Sequence, residues 1–389
     1  MKLKNNIYLC LAACIAICSC NGKTSGRQTH VAGNEGLPGR NHYATHFKLT
    51  DSADYTILEI IEPWQGASGV IQKWYLIEED ISGFTAPKDD GAILQIPVRS
   101  IVCMSATHVA MVSALGMEDA LCGVSGTGLI FDQSVRNSIA SGHIREVGYD
   151  ENMNRELLVE MAPDLIIAYG IGSGSVSHHV KLAELGLKVM YNADYLENDP
   201  LGKAEWIRVF GVLLGKRALA DSIFVSSEEE YISIKETVLG KNAGKPHVMM
   251  GLPWKESWYI SPGNSYISKL IEDAGGSYLW NDLRSDFSMP FNLENVYVRA
   301  VNADYWLNPG TATHFSDIIS TDHRLSSLKA FSEKRIYNNN LMVNLSGAND
   351  YWETGSLRPG LILKDMAMIF NKDLFPGDTL RFFRQLQWK

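Results

Sequence analysis

The chain has 389 residues, 35 Lys and Arg against 44 Asp and Glu, a formal net charge of -9 and a hydrophobic fraction of 46%. An acidic balance of this kind excludes the basic face that nucleic-acid binding requires. The hydrophobic fraction is that of globular domains, and the length exceeds what one hydrophobic core usually holds, so two lobes are expected.

The N-terminus reads as an export signal over residues 1–19. Lys2 and Lys4 supply a positive start, and Ile7 to Ile17 is an apolar run of roughly a dozen residues, too short to span a bilayer comfortably. The run ends in Ile17-Cys18-Ser19-Cys20, an aliphatic residue and two small or thiol residues before a cysteine. That pattern resembles a bacterial lipobox, so Cys20 is expected to carry lipid and become the new N-terminus. The alternative, an ordinary secretory signal cleaved nearby, gives the cysteine no purpose. Cys103 and Cys122 are the cysteines outside this leader, too few for a disulfide framework or a cluster site. Whether they pair is left open by the sequence, although both sit in apolar runs where a small buried hydrophobe is the common role.

Residues 20–45 are polar, rich in Gly, Ser, Thr and Asn, and read as a tether. Residues 46–90 alternate in short stretches around Tyr55, Ile57, Trp74 and Leu76, with Pro63 and Gly66 marking a turn, which predicts a small β extension. In residues 91–201 strand-length apolar runs (Ser100–Met104, Leu121–Ser125, Leu165–Tyr169, Leu187–Tyr191) alternate with helical periods, the pattern of a parallel sheet covered by helices. Residues 202–240 form a linking helical segment. Ile223, Ser227, Tyr231, Ile234 and Val238 share one helix face, and about 22 residues after Gly215 would reach roughly 33 Å. Residues 241–389 resume the alternation, with strands at His247–Gly251, Trp258–Ser261, Asp304–Asn308 and Arg335–Tyr337. The predicted fold is α/β: two Rossmann-like lobes with parallel sheets, joined by one long helix, plus the β extension.

Three motifs then carry a resemblance. Asn154-Arg155-Glu156-Leu157-Leu158 leads through Met161-Ala162-Pro163-Asp164 into Leu165-Ile166-Ile167. Asn292-Leu293-Glu294 followed by Ala303-Asp304-Tyr305-Trp306-Leu307 repeats that logic, and Ser265–Leu270 runs on to a Gly275-Gly276 pair. In this order and spacing the chain resembles the periplasmic binding proteins for ferric siderophores, haem and cobalamin, from about Arg99 to Tyr337. The tail from Tyr351 is similar to that of Bacteroidetes-type lipoprotein members. The resemblance implies a single rigid helix between lobes and a permease dimer with ATPase subunits as partner. It also implies one docking glutamate on each lobe, Glu156 and Glu294, pairing with permease arginines. Without it, both read as acids favoured by a helix N-terminal dipole.

Ligands of open α/β sheets bind beyond the carboxyl ends of the strands. The residues there supply the candidate ligand set: Ser105, Thr107, His108, Tyr169, Gly170, Tyr191, Trp254, Trp258, Tyr259 and Trp306. This set is aromatic and small polar, suited to stacking on a bulky, partly apolar molecule. A bare metal ion would need converging His, Asp or Glu, and His178 and His179 point apart on their helix, so they read as surface residues. The adjacent Glu272 and Asp273 likewise read as a solvated face, and Gly126-Thr127-Gly128 lacks the Lys-Ser/Thr of a phosphate loop. No nucleophile is paired with a base. The expectation is a non-enzymatic receptor with no metal site and no cofactor of its own, lipid-anchored and facing the periplasm. It would capture a metal chelate, a ferric siderophore first and cobalamin as alternative; a tethered adaptor or sensor is the rival.

Overall fold

Alternating apolar residues build the first sheet. A computed structural model describes residues 41–78, 84, 87–149, 152–241 and 244–388, so the leader, Cys20 and most of the tether lie outside the described residues. β1 (Phe47–Asp51), β2 (Thr56–Ile61) and β3 (Ile71–Ile77) pair antiparallel in order, and β4 (Ala92–Gln95) adds parallel to β3. Phe47, Leu49, Leu58, Ile60, Trp74 and Leu76 bury one face in the same core as the first lobe. The extension therefore runs to Gln95, past the expected boundary at 90.

The expected tether also ends sooner than residue 45. The main-chain N–H groups of His42, Tyr43 and Ala44 donate to the buried Glu205 carboxylate at 2.8–3.2 Å, and those of Thr45 and His46 to the buried Glu197 at 2.9–3.1 Å. Arg208 adds a contact to Glu205 and the Trp206 indole one to Glu197. Two carboxylates removed from water are thus satisfied largely by main-chain donors of this stretch.

The first lobe has β5 (Ile101–Cys103), α1 (Ala106–Ala114), β6 (Leu121–Val124), α2 (Gln133–Ala140), β7 (Arg145–Glu146), α3 (Arg155–Met161), β8 (Leu165–Ala168), α4 (Gly172–Glu184) and β9 (Val189–Tyr191). The sheet order is β7-β6-β5-β8-β9, all parallel. Every residue of β5 and β8 is buried, as expected of strands covered on both faces. Gln72 of β3 covers the edge strand β9, donating to Val189 O and accepting from Tyr191 N. Cys103 and Cys122 are free thiols. Burial pushes the Cys103 thiol up and the Cys122 thiol to about 11.

The linking segment holds two short helices before the one long helix expected after Gly215. α5 (Pro200–Glu205) and α6 (Ile207–Leu213) turn at Gly215, whose φ of +68° suits glycine, into α7 (Arg217–Leu239). α7 has 23 residues, and its Phe224 joins the first lobe's core while Tyr231, Ile234 and Val238 join the second's.

The second lobe has β10 (His247–Met250), β11 (Trp258–Ile260), α8 (Tyr266–Asp273), β12 (Ser277–Tyr278), β13 (Met289–Phe291), α9 (Leu293–Ala300), β14 (Tyr305–Leu307), α10 (Phe315–Thr321), α11 (Lys329–Ser332), β15 (Ile336–Asn338), α12 (Thr354–Leu357), α13 (Pro359–Phe370) and β16 (Arg384–Gln385). Its sheet order is β12-β10-β14-β15-β16, with β16 antiparallel, while β11 and β13 form a separate ribbon. Asp273 corrects the expectation of a solvated face. It is buried, accepts from the Tyr231 hydroxyl at 2.7 Å and pairs with Lys235 at 2.9 Å, fastening α8 to the linking helix. His179 is also buried, against the Tyr191 ring, and His178 is half-buried on Arg155, so the two are not surface histidines.

Candidate functional site

In the first sheet the chain order reverses direction between β5 and β8, and in the second between β10 and β14. Loops leaving such neighbouring strands diverge and open a crevice at their carboxyl ends. A cleft of about 800 Å³ lies there, between the lobes. The first lobe contributes Met104 to Thr107 after β5, Ser125, Gly126 and Leu129 after β6, Tyr149, and Tyr169 after β8. From the second lobe come Asn308, Gly310 and Thr311 after β14, Asn339 and Asn340 after β15, and Val343, Gly347 to Asn349 and Trp352 from the segment before α12.

Each wall is set by local chemistry. Ser105 caps α1, accepting from Thr107 N, and its hydroxyl lies 3.0 Å from that of Thr107. Tyr169 is held edge-on between His108 and Tyr195. Glu146 accepts from the main chain of Gly126, Thr127 and Gly148 at 2.6–2.9 Å, which draws two first-lobe loops together behind the cleft. On the other side Asn338 donates to the carbonyls of Gly310 and Ala312, Asn340 also donates to Ala312, and Asn349 donates to Asn339 O. Asn308 has a φ of +50°, a left-handed conformation that Asn tolerates better than most residues. Its Oδ1 is buried without a hydrogen bond of acceptable geometry, and the buried Tyr351 hydroxyl lies alongside in the same condition.

The segment after β15 also ties the lobes together. Glu353 is almost fully buried and accepts from the main-chain N–H groups of Phe131 and, at 2.9 Å, Asp132 in the first lobe. Leu357 of α12 packs in the first lobe's core. Burial pushes the Glu353 carboxyl up to about 7, against the pull of those two N–H groups.

Of the ten candidate ligand residues, the cleft brings together Ser105, Thr107 and Tyr169. His108 is fully buried behind them, and burial pushes it down to about 4, so it is neutral and packs on Phe210 and Tyr169. Gly170 lies under Trp64 of the extension, whose atoms a Cβ would meet at 2.5 Å, and Tyr191 is buried against Trp64 and His179. Trp258 and Trp306 correct the aromatic-wall expectation. Both are fully buried, donate their indole N–H to Met250 O and Gly251 O, and pack at 5.9 Å in the second lobe's core. Trp254 and Tyr259 are exposed but outside the cleft lining, and Lys255 covers the Trp254 ring. The aromatic in the second lobe's wall is instead Trp352, 46% exposed.

Sequence reasoning missed Asn339, Asn340, Asn349 and Trp352. The strand-end rule applied after β15 would have selected the Asn338-Asn339-Asn340 run. Trp352 and Asn349 follow no strand, so the same rule could not find them. Among the described residues no three of His, Cys, Asp or Glu converge as metal ligands, and no helix is long and apolar enough to cross a membrane. Glu156 and Glu294 are exposed in the first turns of α3 and α9, each two residues after an Asn cap that accepts from the third helical N–H. Glu294 is also paired with Arg324 at 3.0 Å; that ion pair and the main-chain N–H at the helix start hold its carboxyl below the usual range.

Two α/β lobes on one long helix, with a ligand-sized cleft at their strand ends, have the architecture of a bilobal solute-binding protein. The chain belongs to the periplasmic binding protein family, whose model matches residues 101–339. It is 27% identical over 305 residues to an uncharacterized lipoprotein of Methanocaldococcus jannaschii, covering 76% of this chain and 70% of that one. It is 24% identical over 198 residues to a cobalamin-binding protein of Halobacterium salinarum, about half of each chain. A solved structure of an ABC-type Fe3+-hydroxamate transport system from Saccharomonospora viridis shares the fold with a TM-score of 0.53 at 16% identity, covering 71% of this chain and 94% of that one.

Proposed function

We propose that this protein is the lipid-anchored receptor of an ATP-driven importer, capturing a bulky metal chelate between its lobes and delivering it to a permease dimer. The observation that carries the reading is the cleft itself. It is open, about 800 Å³ in volume, and walled by aromatic rings, hydroxyls and amides at the strand ends of both lobes. A tethered adaptor would fill this space with its own side chains. Tyr169 and Leu129 face Trp352 and Val343 across it, giving stacking and apolar area, while the amides orient the ligand. The protein would bring no cofactor of its own.

Ferric siderophores are the first ligand class and cobalamin the second, the latter favoured by the cobalamin-binding relative. Glu156 and Glu294 would dock the two lobes on two copies of a permease subunit. Their matching caps on α3 and α9 support that role. Acylation of Cys20 would hold the chain at the periplasmic side of the envelope, and the lipoprotein relative supports it. Tryptophan quenching and native mass spectrometry against cyanocobalamin, haemin and a panel of ferric siderophores test the reading. Binding of at least one at micromolar concentration or below is expected; failure of all of them would overturn it.

A further inference from the structure

The charge pattern of the cleft identifies what it rejects. Among the described residues its lining holds no Asp, Glu, Lys, Arg or His, although one residue in five of the whole chain is charged. Two carboxylates hold the main chain on the first lobe's side of the cleft, the exposed Glu146 of that lobe and the buried Glu353 of the segment after β15. Glu146 sits behind Gly126 and Thr127, and Glu353 behind Phe131, with Asp132 beside it. On the second lobe Arg384 stands behind Asn340, its guanidinium donating to the amide at 2.8 Å, and Arg381 is matched by Asp350 at 2.8 Å. A buried anion would lose hydration and meet no cationic side chain in the lining in return.

We infer that the cleft is a charge filter, admitting chelates without net charge and excluding polyanionic ones of the same size, and that Asn308 is a specificity-determining residue in it. The inference rests on the receptor reading and refines it. Neutral amides both donate and accept, so they suit a ligand edged with carbonyls, amides and hydroxyls, such as a ferric trihydroxamate or a corrinoid. Asn308 is placed for this. It lines the cleft just after β14 with a left-handed backbone, and its buried Oδ1 lies beside the Tyr351 hydroxyl of the second lobe's core, which fixes the side chain in the wall. Discrimination comes as much from what an anion would lack as from what a neutral ligand gains.

The experiment compares three probes by quenching of intrinsic tryptophan fluorescence in the purified protein: ferrichrome, uncharged; cyanocobalamin, uncharged; and ferric enterobactin, which carries three negative charges. At least one uncharged probe is expected to bind about 100-fold more tightly than ferric enterobactin, with little dependence on salt. Asn308→Asp keeps a residue that tolerates the left-handed backbone and adds one negative charge; it should weaken the uncharged probe at least tenfold. The exposed rim residue Val343, changed to Arg, should instead bring ferric enterobactin into measurable binding without disturbing the fold. Ferric enterobactin binding wild-type protein within tenfold of the uncharged probes would overturn the filter and leave the receptor reading standing. Binding of none of the three, nor of any other chelate, would overturn both.

Discussion

Glu353 gives the protein a pH response that is hidden in the wild type. Its carboxyl titrates at about 7 in the folded chain against 4.5 as its ordinary value. A raised acid favours the folded state while protonated, so its contribution is fully present below pH 4.5 and is lost as pH rises through 7. At 1.36 kcal/mol per unit the loss is about 3 kcal/mol. His108 works in the opposite sense. Buried and neutral, it titrates at about 4 against 6.5. Its contribution is present above pH 6.5 and is lost as pH falls through 4, again about 3 kcal/mol. The two windows overlap and their slopes oppose, so this pair together adds little net pH dependence to wild-type stability between pH 4.5 and 6.5. Replacing Glu353 by Gln removes one member. Stability of the Glu353→Gln protein should then climb by about 3 kcal/mol between pH 4 and 6.5, and His108→Leu should show the mirror-image decline between 4.5 and 7. Urea unfolding at half-unit pH steps, read by intrinsic fluorescence, measures each profile. Profiles of the Glu353→Gln protein and the wild type that run parallel across this range would refute the assignment of the latch between the lobes.

Other expectations are more direct. Tyr169→Ala and Trp352→Ala should each weaken chelate binding by about 0.5–1.5 kcal/mol beyond lost area, whereas Trp254→Ala should leave titrations unchanged. Trp258→Ala should instead cost about 3–5 kcal/mol of stability in denaturant melts, because the ring fills the second lobe's core. The double change Glu156→Ala with Glu294→Ala should leave ligand affinity intact while abolishing permease association in pull-down and uptake assays; normal uptake would return both to helix-start acids. A 23-residue helix shared by both cores resists hinge closure, so small-angle scattering of free and loaded protein should nearly superimpose.

The alternation of buried strands with helices made the two lobes legible in sequence, because a strand covered on both faces must be apolar throughout. Ile101–Cys103 and Leu165–Ala168 are such runs. The amphipathic spacing from Ile223 to Val238 likewise located the helix that joins the cores. The site was harder to read for a physical reason. Trp258 opens β11 and Trp306 lies inside β14, so neither stands beyond a strand's carboxyl end, and sequence position does not tell which way an aromatic turns. Trp258 and Trp306 satisfy their indole N–H groups on Met250 and Gly251 and face inward, while Trp352, outside any strand, faces the cleft.

The remaining features depend on partners far away in sequence. Glu197 and Glu205 look like surface helix acids until His42–His46 brings its N–H groups to them, more than 150 residues back along the chain. Glu353 looks equally ordinary until Phe131 and Asp132 meet it across the lobes. Local pattern registers a carboxylate's charge and helix position, yet its burial is decided by donors from another element. Of these donors, Phe131 and Asp132 tie the first lobe to the segment after β15. The cleft's own surface is left to amides, hydroxyls and rings, so its lining offers an anionic ligand no counter-ion.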